Sequence, residues 1–99
     1  MNKEYCIMPI SVRSGMEWNN VRFPGSHRHE VFGAANRQKS IEDGLVIFLT
    51  PDMHNMSNNG IHFNKRFSEY AKKIAQKRWM EFYNKTKDDF IRRYGKNYI

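Results

Sequence analysis

The sequence predicts a small α+β domain in which a β-hairpin is followed by a short helix and by further C-terminal helices. Leu45–Leu49 is a run of five apolar residues, which favours a buried strand. The Thr50-Pro51 pair after it is typical of a helix start, with threonine as the N-cap and proline at the first helical position. Residues 65–83 then repeat apolar side chains at helical spacing, which predicts a longer helix.

The segment before the buried strand supplies the rest of the β structure. In residues 1–26 the pattern is weak and favours one strand at Tyr5–Val12. The mixture of polar and apolar residues at Arg28–Phe32 suits the first strand of the hairpin, and Gly33–Gly44 is predicted to be a polar connection.

The helices follow the hairpin. The short helix that begins at Pro51 is expected to end at Asn58-Asn59-Gly60, because these residues tolerate the left-handed conformation. Asn64 can cap the helix over residues 65–83, and a last helix begins at Thr86 and ends at Gly95. The stripe predicted to pack into the core consists of Phe67, Ala71, Ile74, Ala75, Trp79 and Phe82.

Length and charge limit the function. The 99 residues form one domain with a modest core, and 17 lysines and arginines against 10 acids give a net charge of +7. A polyanion is the natural partner of such a chain, although a basic run is often only a solvated helix face. The densest basic run contains Lys65, Arg66, Lys72, Lys73, Lys77 and Arg78.

The single cysteine and the absence of long apolar runs indicate the compartment. Cys6 has no partner in the chain for a disulfide or a cysteine zinc site, so a reducing compartment fits best. No apolar run approaches the roughly 20 residues that span a bilayer, and the N-terminus lacks a signal-peptide core. We therefore expect a cytoplasmic protein with no membrane partner.

Four histidines point to metal chemistry. His27 and His29 precede Glu30, and His54 and His62 follow the apolar strand. Imidazole is the commonest protein metal ligand and titrates near neutral pH, so this pattern suggests a metal site.

Three short sequence segments, together with the predicted order of strand, strand and helix, resemble the HNH (ββα-metal) endonuclease family. They are HEVFGAANRQKS at 29–40, HNMSNNGIHFN at 54–64 and YGKNYI at 94–99. The resemblance implies a ββα-metal motif over residues 27–64 and a helical extension over 65–99, as in small HNH-like bacteriophage proteins. Both lie within the single domain 1–99.

The resemblance also implies a ligand set. His29, the first member of the strand doublet, would bind a divalent metal (Mg, Mn or Zn), and His54 would supply the second ligand from the helix. His62 and Asn58 compete for the third position, and we prefer His62 because imidazole binds more strongly than a neutral amide.

The general base is less clear. The family usually has histidine as the second member of the doublet, where this chain has Glu30. A solvated carboxylate is a weaker base than imidazole near pH 7, so Glu30 would need desolvation, or it could bind the metal instead. His27 lies on the same strand face as His29 and is the reserve base or ligand.

Other family features are changed or indirect. Thr50 and Met53 stand where many relatives have cysteines, so we expect no structural zinc and a hairpin held by packing of Val46 and Phe48. Either Asn36 or Asp43 is expected to brace the loop. The residues expected to contact DNA are Arg28, Arg37, Lys39, Lys65 and Arg66.

The leading expectation is therefore a divalent-metal-dependent endonuclease that hydrolyses DNA in phage recombination or DNA processing, within the host cytoplasm. The main alternative is an HNH-fold module that binds DNA or protein and has lost catalysis, which the glutamate at the base position favours. A histidine-metal domain that does not bind nucleic acid is a third hypothesis. A homodimer is compatible with the sequence.

Overall fold

Two antiparallel hairpins and three helices share one core in the computed structural model, which describes residues 5–13, 16–51 and 65–99. The strands are β1 (Ser11–Arg13), β2 (Met16–Trp18), β3 (His27–Glu30) and β4 (Val46–Leu49). The helices are α1 (Arg37–Glu42), α2 (Lys65–Tyr83) and α3 (Lys87–Tyr94), and a 3-10 turn at Ala34–Asn36 precedes α1. The predicted α+β class, with a hairpin and C-terminal helices, is confirmed.

The β3–β4 hairpin is the centre of the fold. Its strands run antiparallel with His27 opposite Leu49, and every residue of β4 is buried, as its apolar run predicts. The predicted first strand, Arg28–Phe32, is shifted, since β3 begins one residue earlier and ends before Val31 and Phe32. These two side chains are buried in the core, and the chain turns there because Phe32 packs against the aromatic rings of α3.

The predicted polar connection Gly33–Gly44 contains the 3-10 turn and α1, a helix that the sequence does not predict. Ser40 is the one residue of α1 that is buried, so the sequence lacks the apolar period that marks a helix. The Ser40 hydroxyl donates to the Leu45 carbonyl at 2.6 Å and accepts from the Phe32 amide at 3.2 Å. Ser40 therefore links α1 to the residues that follow β3 and to the residue that precedes β4.

We expect the Ser40→Ala variant to lose about 1–2 kcal/mol of unfolding free energy, because the buried Phe32 amide loses its acceptor. Urea denaturation followed by circular dichroism measures this loss. Ser68→Ala, at a half-buried position on α2, is the control and should change stability by less than about 0.5 kcal/mol. A Ser40→Ala variant as stable as the wild type would contradict the assignment.

The bounds of α2 match the prediction, and its core stripe needs one correction. Phe67, Ala71, Ala75 and Trp79 are buried and Ile74 is partly buried, as predicted. Phe82 is exposed, with the Arg78 guanidinium 5.1 Å from its ring centroid. Tyr83, four residues after Trp79, packs against the core instead and is partly buried. Its hydroxyl donates to the Asp43 carbonyl at 3.0 Å.

The bounds of α3 follow its capping residues. Thr86 and Asp89 form a capping box, and the hydrogen bond from the Thr86 amide helps to lower the pKa of Asp89 to about 2. Gly95, with a φ of 84°, ends the helix in the left-handed conformation. Phe90 and Tyr94 are buried on the face toward the core, which confirms the predicted last helix.

The N-terminal prediction is largely wrong. The predicted strand Tyr5–Val12 is strand only from Ser11, where β1 begins, because Pro9 has no amide to donate to a ladder. The preceding residues are held by tertiary contacts. Ile7 and Met8 are buried in the core, the Ile7 amide donates to the Gly44 carbonyl, and Arg78 donates to the Ile7 carbonyl.

Candidate active site

Strand β3 carries the histidine doublet. Because side chains alternate along a strand, His27 and His29 share one face and Glu30 lies on the other. His29 is buried, with 9% of its surface exposed, whereas His27 and Glu30 are half-buried. The antiparallel partner of His29 is Ile47 of the fully buried strand β4, so the imidazole is attached to the hairpin at the core of the fold.

The Glu30 carboxylate is held by two guanidinium groups. Arg28 Nε donates to Oε2 at 3.1 Å, and Arg37 Nε donates to Oε1 at 3.3 Å. Only 17% of the Glu30 side chain is exposed, so these ion pairs are partly shielded from water. Each oxygen keeps a further lone pair, so the arrangement fixes the direction of the carboxylate and still allows it to accept a proton from water.

A groove of about 900 Å³ lies beside this strand. Its lining includes His29 and Glu30 of β3 and Arg37 at the start of α1. Lys65 and Lys72 line it from the first half of α2. Further lining residues are Val31, Phe32, Gly33, Ala34, Asn36, Ser68, Glu69 and Tyr98. The structure therefore brings the predicted catalytic pair together with two of the predicted DNA contacts.

Lys72 and Tyr98 are among the lining residues that were not predicted to belong to the site. Lys72 was only one member of a long basic run, and Tyr98 had no role beyond the word YGKNYI. Burial raises the pKa of the Tyr98 phenol. The signal for Lys72 is its spacing of seven residues from Lys65, which places both on one helix face.

The remaining predicted DNA contacts lie elsewhere or have other partners. Lys39 donates to the Arg93 carbonyl at 2.8 Å and lines a separate cleft with Asp43 and Trp79. Arg66 is exposed on α2 and does not line the groove. Arg28 donates a hydrogen bond to the Glu30 carboxylate, and this hydrogen bond is its contact with the site.

Both residues proposed as loop braces make long-range hydrogen bonds. Asn36 Nδ2 donates to the Tyr94 carbonyl at 3.0 Å, at the end of α3. The Asp43 carboxylate accepts from Trp79 Nε1, from the Tyr94 hydroxyl and from Arg93 Nε, at 2.8, 2.6 and 2.6 Å. Burial, and then this hydrogen bond to Asp43, raise the pKa of Tyr94.

The second half of the predicted metal centre lies outside the described residues. Pro51 is helical, as its position after Thr50 predicts, and His54, Asn58 and His62 fall in residues 52–64, which the structure does not describe. Within the described ranges no three histidine, cysteine or acidic side chains lie close enough to hold a metal together. In the groove, the His29 imidazole and the Glu30 carboxylate are donor types that divalent cations accept.

Comparison with protein-family models, with curated proteins and with solved structures finds no match to this chain. None of the described helices combines the length and the apolar character that crossing a bilayer requires.

Proposed function

We propose that this chain is a divalent-metal-dependent endonuclease of the HNH type that hydrolyses DNA. The observation that carries the proposal is the groove, where His29 and Glu30 of β3 lie beside the cationic residues Arg37, Lys65 and Lys72. An imidazole and a carboxylate next to a basic channel suit a cation and a phosphodiester backbone. The resemblance of residues 27–64 to the ββα-metal motif supports the same conclusion.

The roles of the residues combine the placement of His29 and Glu30 with the ligand set that the family resemblance implies. His29 would hold the cation together with His54 and His62, with Asn58 as the alternative third ligand. When bound, a divalent cation supplies charge stabilisation for the phosphate. Glu30 accepts the proton of the attacking water, and Arg28 and Arg37 fix the direction of its carboxylate. Phage recombination or DNA processing in the cytoplasm is the proposed setting, and a homodimer is compatible with it.

One observation favours a second function. Both Glu30 oxygens already accept guanidinium hydrogen bonds, which is the arrangement expected of a structural ion pair. On this alternative, the chain binds DNA or protein through the groove without cleaving it.

Comparison of the wild type with His54→Ala separates the two functions. Nicking of supercoiled plasmid is measured with Mg²⁺, Mn²⁺ or Zn²⁺ and with a chelator, and DNA affinity is measured on the same preparations. We expect His54→Ala to lower the nicking rate by about 100-fold or more, because a bound cation contributes several kcal/mol to catalysis. DNA affinity should remain within about twofold, because phosphate contacts provide most of it.

His27→Ala tests the reserve base, and it should keep most of the activity because His27 does not line the groove. Folded wild type that binds DNA and cleaves it with none of the three metals would reject the nuclease and favour the binding module.

A further inference from the structure

An aromatic ring lies on the wall of the groove between two lysines. The Tyr98 ring is half-buried, with its centroid 5.3 Å from that of Phe32, two residues after Glu30. Both ammonium groups lie over the Tyr98 ring, Lys72 Nζ at 5.8 Å and Lys96 Nζ at 5.3 Å from its centroid. The Tyr98 ring therefore lies next to Phe32, which follows β3, and next to two ammonium groups.

A buried glutamine fixes this ring in place. Gln76 of α2 is 0% exposed, and its Oε1 accepts from the Tyr98 amide at 2.7 Å. Its Nε2 donates to Asn97 Oδ1 at 2.9 Å. Burial of an amide is favourable only when its polar atoms are paired, so Gln76 holds the backbone of this segment in one position. A ring that is ordered before binding loses little entropy when a ligand arrives.

The chemistry of this wall fits one nucleotide of a single strand. A base that stacks on Tyr98 takes the place of an ammonium group over the ring, and the flexible lysine side chain moves to a neighbouring phosphate. A base inside a duplex is already stacked and paired, and would have to leave the helix to reach such a ring. The lining also favours an anion, since three cations (Arg37, Lys65 and Lys72) face two carboxylates (Glu30 and Glu69).

We propose that Tyr98, with Lys72 and Lys96, is a stacking site for an unpaired nucleotide, so that the groove takes single-stranded or locally unpaired DNA. The choice of DNA as the substrate class rests on the proposed function, whereas binding at this site does not require cleavage.

Fluorescence anisotropy with a labelled single strand and with its duplex, at one salt concentration and with a chelator, tests the stacking site on the full chain. We expect the single strand to bind more tightly, and Tyr98→Leu to weaken its binding by about fivefold or more. Leucine keeps apolar packing against Phe32 without an aromatic face. Tyr98→Phe should bind like the wild type. Phe82→Ala, which removes an exposed ring from another face of α2, should also have no effect.

The salt dependence gives an independent measurement. Lys72→Gln should reduce the slope of log affinity against log salt by about 0.7, the value for one phosphate contact on a single strand. Lys77→Gln carries the same charge change on the same helix but lines a different cleft, so its slope should be unchanged.

Three results would overturn the site: tighter binding of the duplex, wild-type affinity in Tyr98→Leu, or equal slopes in Lys72→Gln and wild type. Failure of the nuclease proposal is distinguishable from these results. Wild type that binds single strands through Tyr98 and cleaves nothing sustains the site without the reaction.

Discussion

Replacement of Asp43 by alanine is expected to lower the free energy of unfolding by about 3 kcal/mol, because a partly buried ion pair and two further hydrogen bonds are lost together. The Asp43 side chain is only 13% exposed and pairs with Arg93, which is one-third exposed. The variant would leave Arg93 with the exposed Glu42 carboxylate as its ion-pair partner. It would also remove the acceptor of Trp79 Nε1 and one of the two acceptors of the Tyr94 hydroxyl. Guanidinium chloride denaturation at neutral pH measures the loss.

Glu42→Ala is the matched control for this prediction. Glu42 also pairs with Arg93, at 3.2 Å, but its side chain is 55% exposed. Exposed ion pairs contribute about 0–1 kcal/mol, so this variant should remain close to wild-type stability. Equal losses in the two variants would show that Asp43 does not hold the helices together.

The second large effect is expected at the proposed base. Glu30→Gln should lower the metal-dependent cleavage rate by about 100-fold or more, because an amide cannot take a proton from water. The glutamine oxygen can accept one guanidinium hydrogen bond and its NH2 group cannot accept the other, so we expect a folded variant with a modest loss of stability and little change in DNA affinity. Single-turnover cleavage of a labelled substrate measures the rate.

Glu69→Gln is the control for Glu30→Gln, since Glu69 is an exposed carboxylate that lines the same groove. Its rate should remain within about threefold of the wild type, as expected for loss of a distant exposed charge. If Glu30→Gln cleaves as fast as Glu69→Gln, Glu30 is not the base. A large loss in His27→Ala would then transfer that role to His27.

Local chemistry explains which elements could be predicted from the sequence. Thr86 and Gly95 determine the ends of α3 through contacts within a few residues, so the sequence predicts both. Helix α1 could not be predicted, because it is stabilised by the hydrogen bonds of Ser40 to Phe32 and Leu45 and not by an apolar stripe.

The candidate site divides in the same way. The adjacency of His29 and Glu30 follows from the chain itself, and the family resemblance suggests their roles. The two guanidinium partners of Glu30 and the position of Tyr98 depend on tertiary contacts. The choice between Asn36 and Asp43 as the brace could not be made from sequence, and the structure shows that both make such contacts.

The short segment from Asn36 to Lys39 couples the last turn of α3 to the groove. Asn36 and Lys39 bind the carbonyl groups of Tyr94 and Arg93, and Arg37, between them, binds Glu30. Opening of the last turn of α3 would release both anchors. The hydrogen bond of Arg37 to Glu30 would lose its support in the same event, which leaves Arg28 to hold the carboxylate. We therefore expect the amides of α1 and of the end of α3 to exchange hydrogen at a common rate, as one cooperative unit.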